Sequence, residues 1–228
     1  MGKRPLFRGA DVSSWAVWSL FAAACLFAAP ASALPLKVLV FGDSLTSGFE
    51  LPEQAGFSSV LLRKLRVDGY DDVIVLNGSV AGDTSGDGLQ RISSALQYGA
   101  DVVIVEFGGN DMLNRVDPRV TFSNLDTIIA ICKTQGARVI LAGMLSLPKN
   151  GPFYDAEFDR IYPALARKDK VSLYPFFLQG VYGHPGLMMS EHEHPNVFGV
   201  QRIVAQIAPL VEKNLRAARS PLASKAPR

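Results

Sequence analysis

Short apolar runs alternate with amphipathic stretches along most of the chain. Five runs have the length of a β-strand and are mostly rich in β-branched residues; they cover residues 36–41, 73–76, 102–107, 139–142 and, more weakly, 171–174. Continuous apolar runs of this length are typical of parallel strands that are buried on both faces. The pattern therefore predicts a parallel sheet inside the protein.

Three of the intervening stretches carry apolar residues at helical spacing. The aligned positions are Phe57, Val60, Leu61 and Leu65 in the first, Phe122, Leu125, Ile129 and Cys132 in the second, and Val200, Ile203, Val204, Ile207 and Val211 in the third. Asp117-Pro118 is expected to begin the second helix and Gly136 to end it. The alternation predicts a three-layer α/β domain with right-handed crossovers around a central, mostly parallel five-stranded sheet.

The first 33 residues have the three-part layout of a secretory signal. Basic residues at Lys3, Arg4 and Arg8 precede an apolar run over about 12–29, and small residues follow in Ala31-Ser32-Ala33. We expect cleavage after Ala33. An uncleaved membrane anchor is the alternative, because the run is nearly long enough to span a bilayer.

We expect three parts in the chain: a leader at 1–33, a globular domain at 34–215 and a flexible basic tail at 216–228. The tail consists mainly of Ala, Ser, Pro, Lys and Arg and shows no periodicity.

The two cysteines have no predicted chemical role. Lipidation at Cys25 is disfavoured, because Ala22 stands where an aliphatic residue is usual. Once the leader is removed, Cys132 is the only cysteine, so no disulfide can form within the chain. Its apolar neighbours indicate a buried hydrophobic residue rather than a nucleophile.

The composition narrows the possible partners. The 228 residues are 48% hydrophobic and 19% charged, which fits one globular domain. With 23 basic and 21 acidic residues the net charge is +2, and the excess lies in the predicted leader. A nucleic-acid partner is not expected, because no basic stripe is present. No group of His or Cys has the spacing of metal ligands, so no metal site is predicted.

Polar loops follow the first three predicted strands directly. They are Gly42-Asp43-Ser44-Leu45, residues 77–84, and Gly108-Gly109-Asn110-Asp111. The carboxyl ends of parallel strands meet at one edge of a sheet, where ligands bind in open α/β folds. We therefore expect the three loops to build one site.

These loops offer groups that acyl transfer requires. Ser44 stands between a strand and a helix, where a helix N-terminus favours developing negative charge, and is the candidate nucleophile. Gly82 has no side chain to screen its backbone N–H, and the Asn110 amide is an uncharged donor. Together with the Ser44 N–H they are candidates for an oxyanion hole.

A serine hydroxyl also needs a base, and three histidines precede the last predicted helix: His184, His192 and His194. His194 is the candidate, because Pro195-Asn196 fixes its backbone, and His192 is a rival without that context. Glu191 lies three residues before His194, and in a turn of helical character this spacing brings two side chains to the same side. Its carboxylate could orient the imidazole as the acid of a triad does.

Each motif taken alone has a structural interpretation. Gly-Asp-Ser is a common turn, Asn110-Asp111 could cap a helix, and residues 192–194 could be a solvated loop. Asp43 and Asp83 are interpreted as loop-holding residues that accept from local backbone N–H groups. Glu106, at the end of a strand, is interpreted as structural. The conjunction of the four loops favours the chemical interpretation.

The same residues resemble the GDSL or SGNH hydrolases, and in particular the secreted thioesterase I, lysophospholipase L1 and arylesterase-like branch. Gly42-Asp43-Ser44-Leu45 resembles the family's first block, Gly82 the second, Gly108-Gly109-Asn110-Asp111 the third and His194-Pro195-Asn196 the fifth. The resemblance implies a flavodoxin-like sheet, Ser44 as nucleophile, Gly82 and Asn110 as oxyanion donors, His194 as base, and no cofactor. It also implies that residues 112–115, including Met112 and Leu113, form a mobile loop over the acyl site, and that Leu147 and Pro148 form part of its apolar wall.

The fifth block departs from the family at the third triad member. The family has Asp three residues before the histidine, and this chain has Glu191. The side chain is one methylene longer, so three outcomes are open: Glu191 acts as the acid, Ser44 and His194 act as a dyad, or activity is reduced. We favour the first.

The sequence therefore predicts an exported hydrolase, periplasmic or secreted, that cleaves acyl esters or thioesters through an acyl-enzyme. We expect a small acyl ester or lysolipid as substrate, a monomer, and no stable membrane insertion once the signal is removed. An acyltransferase or a carbohydrate deacetylase would use the same residues. A non-catalytic lipid- or ester-binding module is the alternative of another class, and a flavodoxin-like cofactor carrier is disfavoured because no phosphate-binding loop is present.

Overall fold

A computed structural model describes residues 1–2, 34–146 and 150–219 of the chain. Most of the predicted signal segment, the residues Leu147 and Pro148, and the end of the predicted tail lie outside the described residues.

One parallel sheet forms the centre of the domain, with the strand order β2-β1-β3-β4-β5. The strands are β1 (Lys37–Gly42), β2 (Ile74–Asn77), β3 (Val102–Glu106), β4 (Arg138–Ala142) and β5 (Ser172–Tyr174). Each predicted strand agrees with its observed counterpart to within one residue at either end. The prediction of a five-stranded α/β fold is confirmed, and all four strand pairs are parallel.

The strand order places the site at the centre of the sheet. Every residue of β3 is buried, as is β1 beyond Lys37, whereas β2 is a partly exposed edge strand. From β1 the chain crosses to β2 on one side and then returns to β3 on the other. The carboxyl ends of β1 and β3 therefore flank a topological switch point, where α/β sheets open a crevice for ligands.

Helices cover the sheet in two groups, which gives the three layers. They are α1 (Ser44–Ser47), α2 (Phe57–Val67), α3 (Ser85–Ala95), α4 (Gly109–Leu113), α5 (Pro118–Thr134), α6 (Pro152–Phe158), α7 (Ile161–Asp169) and α8 (Val197–Arg219), with a 3-10 turn at Glu53–Ala55. Helix α2 packs against α8, whereas α5 packs against both α3 and α7.

The predicted apolar faces of α2 and α8 are buried at every position. In α5, Leu125, Ile129 and Cys132 are buried, whereas Phe122 is only half-buried because it lines a shallow surface groove. This helix begins as predicted: the Asp117 side chain accepts a hydrogen bond of 2.9 Å from the Arg119 N–H, with proline at the next position.

Helix α3 has no counterpart in the apolar pattern, because its buried face is built from small and polar residues around Ile92. Ser85 and Gly88 are buried, and a Cβ atom at Gly88 would lie 2.7 Å from the ring of Phe107. The helix begins instead with a capping box between Thr84 and Asp87.

Helix α8 continues to Arg219, which corrects the predicted start of the tail at 216. Arg216 lies 3.3 Å from Glu212 and 2.9 Å from the Tyr70 hydroxyl, and Arg219 lies 2.5 Å from Asp72. These contacts join the last helical turn to the segment before β2. The basic residues therefore extend the helix, although no apolar residues at helical spacing predict it there.

Cys132 is fully buried, and burial raises the pKa of its thiol to about 12. Within residues 34–146 and 150–219, no helix is long and apolar enough to cross a membrane. In the same part of the chain, no cluster of His, Cys, Asp or Glu has the arrangement of a metal site.

Candidate active site

The turn that follows β1 presents Ser44 at the N-terminus of the short helix α1. Asp43 caps this helix, because its Oδ1 accepts a hydrogen bond of 3.0 Å from the Leu45 N–H. Gly48 ends the helix in the left-handed conformation with φ 91°. The serine is therefore held on a single tight turn at the edge of the sheet.

His194 approaches Ser44 from the loop before α8. Its Nε2 lies 2.9 Å from Ser44 Oγ, although the two residues are 150 positions apart. Pro195 bridges to Met188, and the Asn196 Oδ1 caps α8 by accepting from the N–H groups of Phe198 and Gly199 at 2.9 and 3.1 Å. The Pro-Asn pair thus fixes the backbone beside the imidazole, as the sequence predicts.

Glu191 reaches the other side of the same imidazole. Its Oε1 lies 3.1 Å from His194 Nδ1 and 3.3 Å from the His194 backbone N–H. The side chain is 39% exposed. Burial by itself raises the pKa of Glu191, but hydrogen bonds from its own backbone N–H and from His194 outweigh it and lower the pKa below its usual value. The longer side chain of glutamate therefore reaches the imidazole without loss of contact.

The backbone between Glu191 and His194 is not helical, which corrects the predicted turn geometry. The His192 N–H donates to the Met189 carbonyl over 3.1 Å, and His192 then adopts φ 63°, in the left-handed region. This reversal, rather than a helical turn, brings Glu191 and His194 to the same side. The sequence offers no glycine here to mark a positive φ.

The loop after β2 and the first turn of α4 place Gly82 and Asn110 beside Ser44 in the same cavity. Gly82 has φ 87°, which favours glycine. The Asn110 Nδ2 donates to the Asp83 carbonyl at 2.8 Å and to Asp43 Oδ2 at 3.2 Å. Within the described residues, the backbone N–H groups of Ser44 and Gly82 have no intramolecular acceptor. Two free donors and one engaged amide therefore surround the serine.

Arg91 of α3 ties the loops that carry these groups. Its Nη1 donates to the Gly78 carbonyl at 2.5 Å and its Nη2 to the Gly42 carbonyl at 3.2 Å. Its Nε donates to Asp83 Oδ2 at 2.5 Å. The side chain of Asp83 therefore holds its loop through an arginine, which corrects the prediction that it accepts from a local backbone N–H. Sequence reasoning missed Arg91, because an arginine in a helix ordinarily faces solvent.

Three buried carboxyl groups lie beneath the site: Asp43, Glu106 and Asp111. Asp111 accepts from the Ser85 N–H and hydroxyl at 2.7 and 2.5 Å and from the Thr121 hydroxyl at 2.9 Å. Burial raises the pKa of Asp43, and the nearby charges of Asp111 and Asp83 act in the same direction. Burial also raises the pKa of Glu106 well above its usual value, with the charge of Asp43 as the second cause.

An apolar cavity of about 830 Å³ opens beside Ser44. Met112 and Leu113 line it, as the resemblance implies, but they lie in helix α4 rather than in a loop. Leu147 and Pro148 lie outside the described residues. Further apolar lining residues were not predicted; they are Phe49, Met144, Leu145, Phe176, Leu178 and Tyr182. They come from three segments that are far apart in the chain, so no local pattern in the sequence groups them.

A serine hydroxyl, an imidazole and a carboxylate joined in this order beside an apolar cavity are typical of α/β serine hydrolases. The comparison with known families agrees: the profile of the GDSL-like lipase/acylhydrolase family matches residues 40–202, and the chain belongs to that family.

Named relatives give the same class of activity. An arylesterase of Vibrio mimicus is 41% identical over 172 residues, which are 75% of this chain and 84% of that protein. The thioesterase 1/protease 1/lysophospholipase L1 of Escherichia coli (strain K12) is 34% identical and covers 88% of this chain and 96% of its own length. The crystal structure of AlinE4, an SGNH-hydrolase family esterase, superposes with a TM-score of 0.67 at 36% identity, over 79% of this chain and 97% of that chain. The protein is an ester hydrolase.

Proposed function

We propose that Ser44, His194 and Glu191 form the catalytic triad of this hydrolase, which acts outside the cytoplasm on small acyl esters or thioesters. The observation that carries the proposal is the pair of contacts at the imidazole, 2.9 Å from Nε2 to Ser44 Oγ and 3.1 Å from Nδ1 to Glu191 Oε1. With a proton on Nδ1 facing the carboxylate, Nε2 is the atom that can accept the serine proton.

The reaction begins when Ser44 Oγ attacks the carbonyl carbon of the ester and His194 Nε2 takes the hydroxyl proton. The bond to the leaving oxygen or sulfur then breaks, and His194 returns the proton to it. Water attacks the resulting acyl-enzyme with His194 again as base, which releases the acid and restores Ser44. Glu191 stabilises the imidazolium that forms in both steps.

The negative charge on the carbonyl oxygen is stabilised by the N–H groups of Ser44 and Gly82 and by the Asn110 amide. Neither backbone donor has an acceptor among the described residues, and the amide engages the oxyanion by exchanging its longer bond, the one of 3.2 Å to Asp43. Removing one such donor typically slows turnover by about 10²- to 10³-fold.

The acyl chain occupies the cavity, whose size lies within the usual range for small-molecule sites. Apolar side chains such as Met144 and Leu113 line it, which favours an aliphatic or aromatic acyl group over a polar one.

The experiment is hydrolysis of p-nitrophenyl esters of graded chain length by the protein and by Ser44→Ala and His194→Ala. Either substitution is expected to lower kcat by about 10⁴-fold or more without unfolding the protein. Labelling by a fluorophosphonate must occur in the wild type and disappear in Ser44→Ala. A folded wild type that neither hydrolyses any ester nor takes the label would favour a binding module instead.

Export is proposed from the leader sequence, and cell fractionation with N-terminal sequencing tests it. The mature protein is expected outside the cytoplasm with Leu34 as its first residue. A cytoplasmic protein that begins at Met1 would contradict the proposal.

A further inference from the structure

Asp43 and Glu106 form a pair of buried carboxyl groups directly beneath the turn of Ser44. Asp43 follows β1 and Glu106 is the last residue of β3, and these strands pair with Gly42 opposite Glu106. Each of the two residues is 1% exposed. The proposed mechanism uses neither carboxyl group in the movement of protons, so their presence at this place requires another reason.

The packing brings Glu106 against the turn itself. Its side chain lies within hydrogen-bonding reach of the Asp43 carboxyl group and of the Asp43 backbone N–H. Its Oε2 also lies 3.3 Å from the Thr46 hydroxyl of α1. A Cβ atom at Gly42 would lie 2.8 Å from this Oε2 and 2.4 Å from Thr46 Oγ1. The glycine of the Gly-Asp-Ser motif thus makes room for the Glu106 side chain.

A hydrogen bond between two carboxyl groups requires a proton on one of them. Both oxygens of Asp43 already accept from nitrogen donors: Oδ1 from the Leu45 N–H at 3.0 Å and Oδ2 from the Asn110 amide at 3.2 Å. Asp43 is therefore the carboxylate of the pair, and Glu106 is the acid that donates to it.

We propose that Glu106 is a positioning residue for ester hydrolysis: as a neutral acid it donates a hydrogen bond to Asp43 and so holds the carboxylate that orients Ser44 and Asn110. The inference rests on the function proposed above for these two residues.

The Glu106 hydrogen bond acts at the step in which the Asn110 amide exchanges its bond to Asp43 for a bond to the oxyanion. When the amide turns from Asp43 to the oxyanion, Asp43 loses one donor in a buried position. Such a loss is costly unless another donor remains. Glu106 and the Leu45 N–H supply donors that stay in place, so the exchange becomes easier. The effect belongs to the transition state, and we expect it in kcat rather than in KM.

The charged and titratable groups around the pair are consistent with this assignment. Asp83 and Asp111 act on Asp43 as further negative charges, and the Tyr162 hydroxyl lies near both carboxyl groups. Arg91 is bonded to the Gly42 carbonyl and to Asp83, and not to either member of the pair. Within residues 34–146 and 150–219, no hydrogen bond or ion pair joins a cation to Glu106, so a second negative charge there would be uncompensated.

The test compares Glu106→Gln with Glu106→Leu. Glutamine keeps the shape of a neutral glutamic acid, a donor towards Asp43 and an acceptor towards Thr46, whereas leucine keeps only the bulk. We expect Glu106→Gln to retain most of kcat, and Glu106→Leu to lose about 10- to 100-fold in kcat while KM changes by less than about threefold. Asp101→Leu, at the opposite end of β3, is the matched control and should leave kcat unchanged.

The infrared difference spectrum between the wild type and Glu106→Gln provides a second measurement that does not depend on activity. The wild type at neutral pH is expected to show the C=O stretching band of a protonated carboxylic acid, and Glu106→Gln to lack it. The inference is overturned if this band is absent, if Glu106→Gln is as slow as Glu106→Leu, or if Glu106→Leu turns over like the wild type. Retention of activity in Ser44→Ala would instead overturn the proposed function, so the two failures are distinguishable.

Discussion

Glu191 makes its contact with His194 from a half-exposed position on the loop before α8. One oxygen accepts from both Nδ1 and the backbone N–H of the histidine, at 3.1 and 3.3 Å. Two bonds to one residue hold the long side chain in a single orientation, which offsets part of the extra rotamer freedom of glutamate. Solvent screens the carboxylate at the same time, so its electrostatic effect is smaller than that of a buried acid.

The first prediction concerns this carboxylate. Glu191→Gln keeps the length but removes the charge that stabilises the imidazolium, and we expect kcat for a p-nitrophenyl ester to fall by about 10²- to 10³-fold. Glu191→Asp should be intermediate, because its carboxylate lies one methylene short of Nδ1. Glu193→Gln removes an exposed neighbouring charge and is the control. Wild-type turnover in Glu191→Gln would establish a Ser44–His194 dyad.

Phe49 covers one side of the imidazole. Its ring centroid lies 4.8 Å from that of His194, and the side chain also lines the cavity. We predict that Phe49→Ala lowers kcat/KM by about tenfold, because water reaches the histidine and the acyl site loses an aromatic contact. Phe49→Leu should recover part of the loss. Phe153→Ala, which removes a more exposed ring outside the cavity lining, should change nothing in the same assay.

At the scale of elements, helix α3 acts as a support for the loops of the site. Arg91 donates to the carbonyls of Gly42 and Gly78, where the loops after β1 and β2 begin. Its guanidinium lies 4.6 Å from the Phe41 ring centroid. A planar group with several donors suits three acceptors in different directions, and a lysine ammonium does not.

We predict that Arg91→Met lowers the free energy of unfolding by about 2–3 kcal/mol, because it leaves the Gly78 carbonyl and the Asp83 carboxylate without their donor. The Gly42 carbonyl keeps the Val80 N–H as its other donor. It should also lower kcat, since Gly82 and Ser44 lie on the loops released. Arg91→Lys should not restore either quantity. Urea denaturation and ester hydrolysis measure the two effects, and Arg63→Met, on the exposed face of α2, is the control. An unchanged free energy of unfolding in Arg91→Met would show that the loops after β1 and β2 keep their conformation without Arg91.

The elements that the sequence predicts are those whose buried residues are large and apolar. The strands and the faces of α2 and α8 follow from Val, Ile and Leu at regular spacing, because burial of such side chains dominates folding. Helix α3 is not predicted in this way, because two of its three buried residues, Ser85 and Gly88, are small and only Ile92 is large and apolar. A capping box at Thr84 is the local signal that could have indicated it.

The site was predictable where a residue closely follows a strand or adjoins a fixed motif. Ser44, Asn110 and His194 are of this kind, and their proximity follows from the parallel sheet and the Pro-Asn pair. The lining residues Phe49 and Tyr182 were not predictable, because they come from distant loops. The left-handed conformation of His192 was not predictable either, because the position is not a glycine. The pairing of Asp43 with Glu106 depends on the strand register, which a single sequence does not determine.

At the scale of the molecule, the burial of carboxyl groups links folding stability to pH. The pKa of Glu106 is raised well above its usual value by burial, so the folded state keeps a proton that the unfolded state releases above about pH 4. Stability from this residue is complete at lower pH and decreases as pH rises towards the pKa of the folded state. Glu191 contributes with the opposite sign, because hydrogen bonding lowers its pKa on folding despite partial burial.

The last prediction isolates the Glu106 contribution by comparing the wild type with Glu106→Gln, which cannot titrate at that position. Between about pH 5 and 7, the free energy of unfolding of the wild type should fall relative to that of Glu106→Gln by about 1 kcal/mol per pH unit, since one extra proton is released on unfolding. Urea denaturation at three pH values measures the difference. Ser44→Ala removes no carboxyl group and should follow the wild-type slope. Parallel curves for the wild type and Glu106→Gln would mean that Glu106 is ionised in the folded protein, which would contradict its assignment as the acid of the buried pair.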